Sequence, residues 1–157
     1  MPKVLIIYYS RTGNTKAMAE AVEKGVKSEG LDVRCKDVKD VSVKELLQYE
    51  GIAIGSPTYY GTMAGEIKLL LDESVKYHGK LAGKVGCAFS SSGILGGGNE
   101  TTVLDILKAL LVHGMIIQGS AMGPHYGPVA IGKPDAGNRN QCLNLGKSVA
   151  QLVKRLT

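Results

Sequence analysis

The 157-residue sequence contains no tryptophan, one phenylalanine and only three cysteines. Cys35, Cys87 and Cys142 lie far apart and form neither a CxxC pair nor a Cys/His spacing, which argues against a disulfide framework and a zinc site. No run approaches the ~18 apolar residues of a membrane span, and residues 1–3 lead into an apolar stretch rather than a signal peptide. We therefore expect a cytoplasmic protein with reduced thiols and no membrane insertion.

Acidic residues are also in short supply. The formal net charge is +5, and most of the excess lies in residues 101–157, which carry 6 basic and 2 acidic groups. No basic run with interleaved aromatic residues is present, so nucleic-acid binding is not supported. The length suits one domain spanning residues 1–157.

Apolar runs of strand length alternate with segments of helical periodicity along the whole chain. Helices are predicted from Lys16 onward and around residues 67–75, 103–111 and 145–156, with a shorter helix at 43–48. Strands are predicted at residues 3–9, 31–37, 51–56, 84–90 and 115–121. Because these strands are apolar almost throughout, they indicate a parallel sheet covered on both faces. The predicted fold class is α/β, a doubly wound three-layer sandwich around a five-stranded parallel sheet.

A hydroxyl-rich turn follows the first predicted strand. It consists of Ser10, Arg11, Thr12, Gly13, Asn14 and Thr15. A strand, such a turn and a helix together gather free backbone N–H groups at a helix N-terminus, where the macrodipole favours an anion. A simpler interpretation is that Asn14 or Thr15 only caps the helix. Three hydroxyls in six residues exceed what a cap needs, so the turn predicts a phosphate site.

Two further loops follow predicted strands and should open at the same sheet edge, where ligands of such folds bind. Residues 56–62 offer a proline and two adjacent aromatic residues, Tyr59 and Tyr60, which suit a planar ring. Packing of this tyrosine pair on a neighbouring loop is the equally weighted alternative. Residues 90–99 offer hydroxyl donors and close backbone approach. Together the loops predict a pocket for a phosphorylated, flat, heteroaromatic ligand.

The sequence lacks the residues that other functions of doubly wound folds require. A phosphoryl-accepting receiver domain needs carboxylates where Ser10 and Ser56 stand. A dinucleotide site needs G-x-G-x-x-G after the first strand, and a Walker-type loop needs Gly-Lys-Ser/Thr there; neither is present. No nucleophile pairs with a histidine at a recognisable spacing, so hydrolysis is not supported.

Over its whole length the chain resembles flavodoxin-like proteins, which bind FMN noncovalently and order their sheet 2-1-3-4-5. The runs Gly55–Met63, Gly96–Thr101 and His113–Met115 are similar to the branch of tryptophan-repressor-binding-protein-type NAD(P)H:quinone oxidoreductases. The resemblance implies that residues 10–15 surround the phosphate of FMN and that His113 lies near the flavin. It also implies a set of residues lining the isoalloxazine: Pro57, Thr58, Tyr59, Tyr60, Gly61, Ser91, Ser92, Gly93, Ile94, Leu95, Gly96 and Gly97.

The chain departs from the quinone-reductase branch at two points. Thr12 stands where that branch has an aromatic residue, and the tryptophan that covers its flavin is missing. The chain is also shorter around residues 37–45 and 74–84, where that branch has segments that contribute to its tetramer. A histidine followed by a glycine is also common at the C-terminus of a helix, where the histidine meets the negative end of the dipole and the glycine caps the helix. This structural role for His113 is an alternative of equal weight to a place near the flavin, and the two are compatible.

Two functions therefore stay open. In the first, bound FMN carries electrons between redox partner proteins. In the second, NAD(P)H reduces the FMN, which then reduces a quinone. The second function needs a stacking site, for which the candidates are Tyr59, Tyr60, His125 and Tyr126. A flavin-free binding module is a third, less favoured interpretation, and a homo-oligomer is left open. Residues 10–15, 55–63, 90–99 and 119–134, which should form the mouth of the site, contain no acidic residue. We therefore expect a less negative flavin potential than in a strongly acidic flavodoxin.

Overall fold

The computed structural model describes all 157 residues as strands alternating with helices. The strands are β1 (Lys3–Tyr8), β2 (Asp32–Asp37), β3 (Gly51–Tyr59), β4 (Thr62–Met63), β5 (Val85–Ser92), β6 (Ile116–Ile117) and β7 (Val129–Ile131). The helices are α1 (Asn14–Ser28), α2 (Gly65–Glu73), α3 (Asn99–Val112) and α4 (Ala136–Leu156). Three short 3₁₀ helices occupy Val38–Asp40, Val43–Gln48 and Ser74–Tyr77.

The main sheet has the order β2-β1-β3-β5-β6, and its neighbouring strands are parallel. This is the order 2-1-3-4-5 of the five predicted strands, so the predicted fold class is confirmed. The two-residue strand β4 adds an antiparallel pair to the end of β3. The predicted short helix at residues 43–48 is present as a 3₁₀ helix.

The fifth strand, predicted at residues 115–121, is shorter in the structure. Only β6 occupies the predicted region, where it pairs with Val85 and Gly86. The chain then leaves the sheet over residues 118–128 and returns as β7, which pairs with the other end of β5. This excursion contains Pro124 and Pro128, whose missing N–H groups cannot join a ladder.

Each face of the sheet carries its own apolar layer, because alternate residues of a strand point to opposite faces. Val4 and Ile6 pack with α1 and α4, whereas Leu5 and Ile7 pack with α2 and α3. The α1–α4 contact is close: a Cβ on Gly146 would lie 2.1 Å from the Val22 carbonyl oxygen. Glycine is therefore required for these two helices to approach each other.

All parallel strands end at one edge of the sheet, which we call the carboxyl edge. Helices α1, α3 and α4 begin there, because each follows a strand or a loop that ends at this edge. The opposite, amino edge holds the strand starts and the C-terminus of α3. No helix is both long enough and apolar enough to cross a lipid bilayer.

Candidate functional site

A cleft of about 400 Å³ opens at the carboxyl edge. It gathers residues from all three loops singled out in the sequence, and Arg11 is the only charged residue that lines it. The lining residues are Ser10, Arg11, Thr12, Asn14, Thr15, Pro57, Thr58, Tyr59, Ser91, Ser92, Gly93 and Gly132. The cleft therefore has the composition expected of a site for an anionic ligand.

Helix α1 begins at this cleft without a cap of its own. Its N-cap residue, Gly13, has a left-handed φ of 96°, and no side chain accepts a hydrogen bond from the first turn. The first turn also lacks an acidic residue. Thr15, which could have capped the helix, instead places its hydroxyl 2.9 Å from the Ser91 hydroxyl. The interpretation of the turn as a simple side-chain cap is therefore wrong, and the backbone N–H groups of the first turn are open to an external anion.

Side-chain hydroxyls tie the loops of the cleft together. Besides the Thr15–Ser91 pair, the Thr58 and Ser90 hydroxyls lie 3.1 Å apart. Asn99 donates to the Ser92 hydroxyl at 3.0 Å. These bonds run between α1, β3, β5 and α3, so the walls of the cleft are held in one arrangement before any ligand enters.

The two tyrosines of the second loop behave differently. Tyr59 lines the cleft and also makes an edge-on contact with the Tyr9 ring, with ring centroids 6.1 Å apart. Burial and the neighbouring Tyr9 raise the pKa of Tyr59, so its hydroxyl stays protonated. Tyr60 is fully exposed and has a left-handed φ of 50°. Packing on a neighbour therefore describes Tyr59 but not Tyr60.

The third loop supplies both a wall and a rim. Ser91, Ser92 and Gly93 line the cleft. Ile94 and Leu95, which follow, are 68% and 85% exposed and stand beyond the lining residues. Gly96 and Gly97 also lie outside the lining, in the turn that leads to α3.

The structure does not bring His113 to the cleft within one chain. His113 ends α3 and is followed by Gly114, whose φ is 78°. The Gly114 carbonyl accepts a hydrogen bond from Gly83, just before β5 begins. His113 therefore lies at the amino edge, and the eight residues of β5 separate it from the carboxyl edge. Its predicted position at the end of a helix, before a glycine, is confirmed. Its predicted place beside the other site residues is corrected, because His113 of the same chain does not line the cleft.

His113 is also held in one protonation state. Its Nε2 lies 2.7 Å from the Ser74 hydroxyl, and that hydroxyl donates its only hydrogen to the Leu71 carbonyl. Nε2 must therefore carry the hydrogen, while the buried Nδ1 has no partner. Burial and the nearby His78 lower the pKa of His113. The ring is neutral and does not bring positive charge to the end of α3.

Gly132 is a lining residue that the sequence analysis did not name individually, although it falls within residues 119–134, which were expected at the mouth of the site. Its N–H donates to the Ser92 carbonyl at 2.8 Å, which continues the β5–β7 pairing into the cleft wall. Strand β7, which brings Gly132 to this wall, was not predicted. His125 and Tyr126, proposed for a stacking site, lie in the 118–128 excursion and do not line the cleft.

None of the three thiols can act as a nucleophile at neutral pH. Burial raises the pKa of Cys35, Cys87 and Cys142 to about 12 in each case. All three are free, and no group of histidine, cysteine and acidic residues is arranged to hold a metal ion.

Comparisons with known proteins agree with this geometry. A family model described as flavodoxin matches residues 6–111. A flavodoxin of Aquifex aeolicus is 40% identical over 98% of this chain and 88% of its own length. An NAD(P)H dehydrogenase (quinone) of Archaeoglobus fulgidus is 31% identical over 99% of this chain and all of its own length.

Among solved structures, a flavodoxin from the domain Archaea superposes with a TM-score of 0.82 at 33% identity. The superposition covers 97% of this chain and 99% of the archaeal one. The family model covers the turn at residues 10–15 and the two other loops of the cleft, at residues 56–62 and 90–99. The chain belongs to the flavodoxin family.

Proposed function

We propose that this protein binds FMN at the carboxyl edge and transfers electrons through it between redox partner proteins. The observation that carries the proposal is the uncapped N-terminus of α1, which opens into a cleft without acidic residues. A terminal phosphate satisfies the open N–H groups, and an adjacent slot with Tyr59 in its wall accepts a planar ring. Family membership and the 40% identical flavodoxin support this assignment.

The phosphate of FMN is assigned to residues 10–15. Backbone N–H groups of Asn14 and Thr15 point along the positive end of the α1 dipole, and the hydroxyls of Ser10 and Thr12 add donors. The Thr15 hydroxyl can donate to phosphate while it accepts from Ser91. Residues 57–61 and 91–97 are assigned to the ring.

Bound FMN supplies the redox chemistry through its isoalloxazine ring. The chain's own contribution is to orient the ring, exclude water from one face and set the charge around it. The cleft lining contains Arg11 and no carboxylate. A negative charge on the reduced ring is therefore more stable here than in an acidic site. We infer a flavin potential less negative than that of flavodoxins with acidic surroundings.

Comparison of FMN with riboflavin tests the phosphate assignment directly, because the two ligands differ only in the phosphate. In Thr12→Asp, a carboxylate beside α1 should lower FMN affinity at least ~100-fold by like-charge repulsion, yet leave riboflavin affinity within about twofold. Ala136→Asp places the same charge in the first turn of α4, outside the cleft, and should change neither affinity. Unchanged FMN affinity in Thr12→Asp would overturn the site.

A second function, NAD(P)H:quinone oxidoreduction by the same FMN, is favoured by one specific observation. The acid-free cleft is bordered by the fully exposed Tyr60, and a relative over the full length of this chain is named NAD(P)H dehydrogenase (quinone). Anaerobic stopped-flow mixing of the FMN form with NADH or NADPH separates the two functions. Bleaching within seconds favours the enzyme, and no bleaching favours the carrier.

We further propose that the protein works in the cytoplasm. The three cysteines are free and far from one another in sequence, which suits a reducing compartment. Fractionation of the native host, with detection of the yellow FMN form, tests the location.

A further inference from the structure

The turn between β3 and β4 has an unusual residue at its tip. Thr58 pairs with Met63 and Tyr59 with Thr62, so only Tyr60 and Gly61 connect the strands. Both have left-handed φ angles, 50° and 84°. Such turns prefer asparagine, aspartate or glycine at the first position, and a bulky residue there costs roughly 1 kcal/mol or more. The conformation persists only if the surroundings hold it.

The base of this hairpin is held by Ser56, which is completely buried. Its hydroxyl donates to the Pro57 carbonyl at 2.7 Å and accepts from the Ala64 N–H at 2.9 Å. One side chain therefore joins the two ends of the loop. These bonds fix where the hairpin starts, but they do not reach its tip.

The tip is held from α3. The Thr62 hydroxyl donates to Asp105 Oδ2 at 2.7 Å, and the other oxygen of Asp105 pairs with Lys108 at 2.8 Å. Just before α3, a Cβ on Gly98 would lie 3.2 Å from Gly61 Cα. The turn is therefore packed against the start of α3 and hydrogen-bonded to its second turn.

We propose that Asp105 is a positioning residue for the flavin, acting through Thr62 to hold the Tyr60–Gly61 turn where the ring of FMN meets it. Neither Asp105 nor Thr62 lines the cleft. Thr62→Val leaves the charge of Asp105 in place, so an effect on FMN that Thr62→Val and Asp105→Ala share passes through their hydrogen bond to the turn. The proposal rests on the FMN site proposed above.

The test uses Thr62→Val and Asp105→Ala, each of which removes one partner of the hydrogen bond. Both should weaken FMN and riboflavin binding by the same factor, about fivefold, because the turn meets the ring and not the phosphate. The midpoint potential of bound FMN should shift in the same direction in both variants. The double variant should bind no more weakly than either single one.

Two matched controls accompany these variants. Asp105→Asn keeps an oxygen that accepts from Thr62 and should restore wild-type affinity. Lys108→Ala removes only the ion pair and should leave affinity unchanged. In FMN-free protein, chymotrypsin cleavage after the exposed Tyr60 should be about fivefold faster in Thr62→Val and Asp105→Ala, and unchanged in the controls.

Several outcomes would overturn the proposal. Wild-type affinity in both Thr62→Val and Asp105→Ala overturns the positioning role alone, provided that the wild type binds FMN. Additive losses in the double variant also overturn it, because they would mean that the two residues act separately. A wild-type protein that binds no FMN overturns the proposed function and the positioning role with it.

Discussion

Helices α1 and α4 both begin at the carboxyl edge, yet their N-termini are built in opposite ways. Asp135 caps α4: its carboxylate accepts from the Asn138 N–H at 2.7 Å, and the Asn138 side chain returns a bond to the Asp135 N–H. At α1 the N-cap residue is Gly13, and no side chain caps the first turn. The N-terminus of α4 is satisfied within the chain, whereas the first turn of α1 has no side-chain acceptor and is the place to which we assign the phosphate. A helix N-terminus therefore points to an anion site only where the chain provides no anion of its own.

The largest expected effect comes from giving α1 the carboxylate that α4 has. In Gly13→Asp, the new carboxylate would lie beside the first turn and repel phosphate, so FMN affinity should fall ~100-fold or more, about 3 kcal/mol. Isothermal titration with FMN and with riboflavin measures this. Gly13→Asn is the control, because asparagine also tolerates a left-handed φ and caps a helix but carries no charge. Equal losses in both variants would point to backbone conformation rather than charge.

The reciprocal change removes the cap of α4. Asp135→Ala should lower the free energy of unfolding by about 1 kcal/mol, since the Asn138 N–H loses the carboxylate that accepts from it. Urea denaturation of the FMN-free protein measures this, and FMN affinity should stay within about twofold. Asp135→Asn, which can still accept from the backbone, should retain most of the stability. A large loss of FMN affinity in Asp135→Ala would show that the two helix ends are not independent.

The amino edge offers a smaller, pH-dependent test. Folding lowers the pKa of His113 below its ordinary value near 6.5. At a pH between the folded pKa and 6.5, the unfolded chain therefore binds more protons than the folded chain does. Stability should therefore be complete above pH 6.5 and fall as the pH is lowered below it. His113→Gln should flatten this dependence, and His125→Gln, in the exposed excursion, should not. An unchanged slope in His113→Gln would assign the effect to other groups.

The smallest effect concerns the charge at the cleft. Arg11→Gln removes the only charged side chain of the lining and should make the flavin potential more negative, by roughly 20–40 mV, because an exposed charge acts through water. Redox titration of the FMN complex measures this shift. Lys16→Gln removes an exposed charge from the first turn of α1, outside the lining, and should change the potential less. A shift to less negative values in Arg11→Gln would contradict the electrostatic argument.

The sequence predicted the elements that rest on periodicity. Four of the five strands could be located from their apolar runs, which are unbroken where a strand is buried on both faces, as in β1 and β5. The order of the strands came instead from the family resemblance, and the structure confirms it. The turn at residues 10–15 was located from local sequence, since it directly follows the first apolar run, and its phosphate role stays a prediction.

Features that depend on distant partners could not be predicted. The second half of the fifth strand is only three residues long, and its pairing is recognisable only beside β5. His113 was assigned to the flavin by family resemblance, whereas its position follows from the length of α3, which carries it to the amino edge. The Thr62–Asp105 hydrogen bond joins residues far apart in sequence, and no sequence pattern near either residue predicts it.

The excursion at residues 118–128 has a practical consequence. Both strands that flank it pair with the same strand, β5, so the sheet register does not depend on the length of the connection. Its last residues are fixed against the sheet, because a Cβ on Gly127 would lie 2.1 Å from the Ala88 carbonyl oxygen and the Pro128 carbonyl accepts from the Ser90 N–H. Earlier in the excursion, Ser120 and His125 are hydrogen-bonded to each other and not to the sheet. Residues 119–126 are thus a place where the chain can be lengthened, shortened or opened to carry a peptide tag or a second domain while the fold around it stays the same.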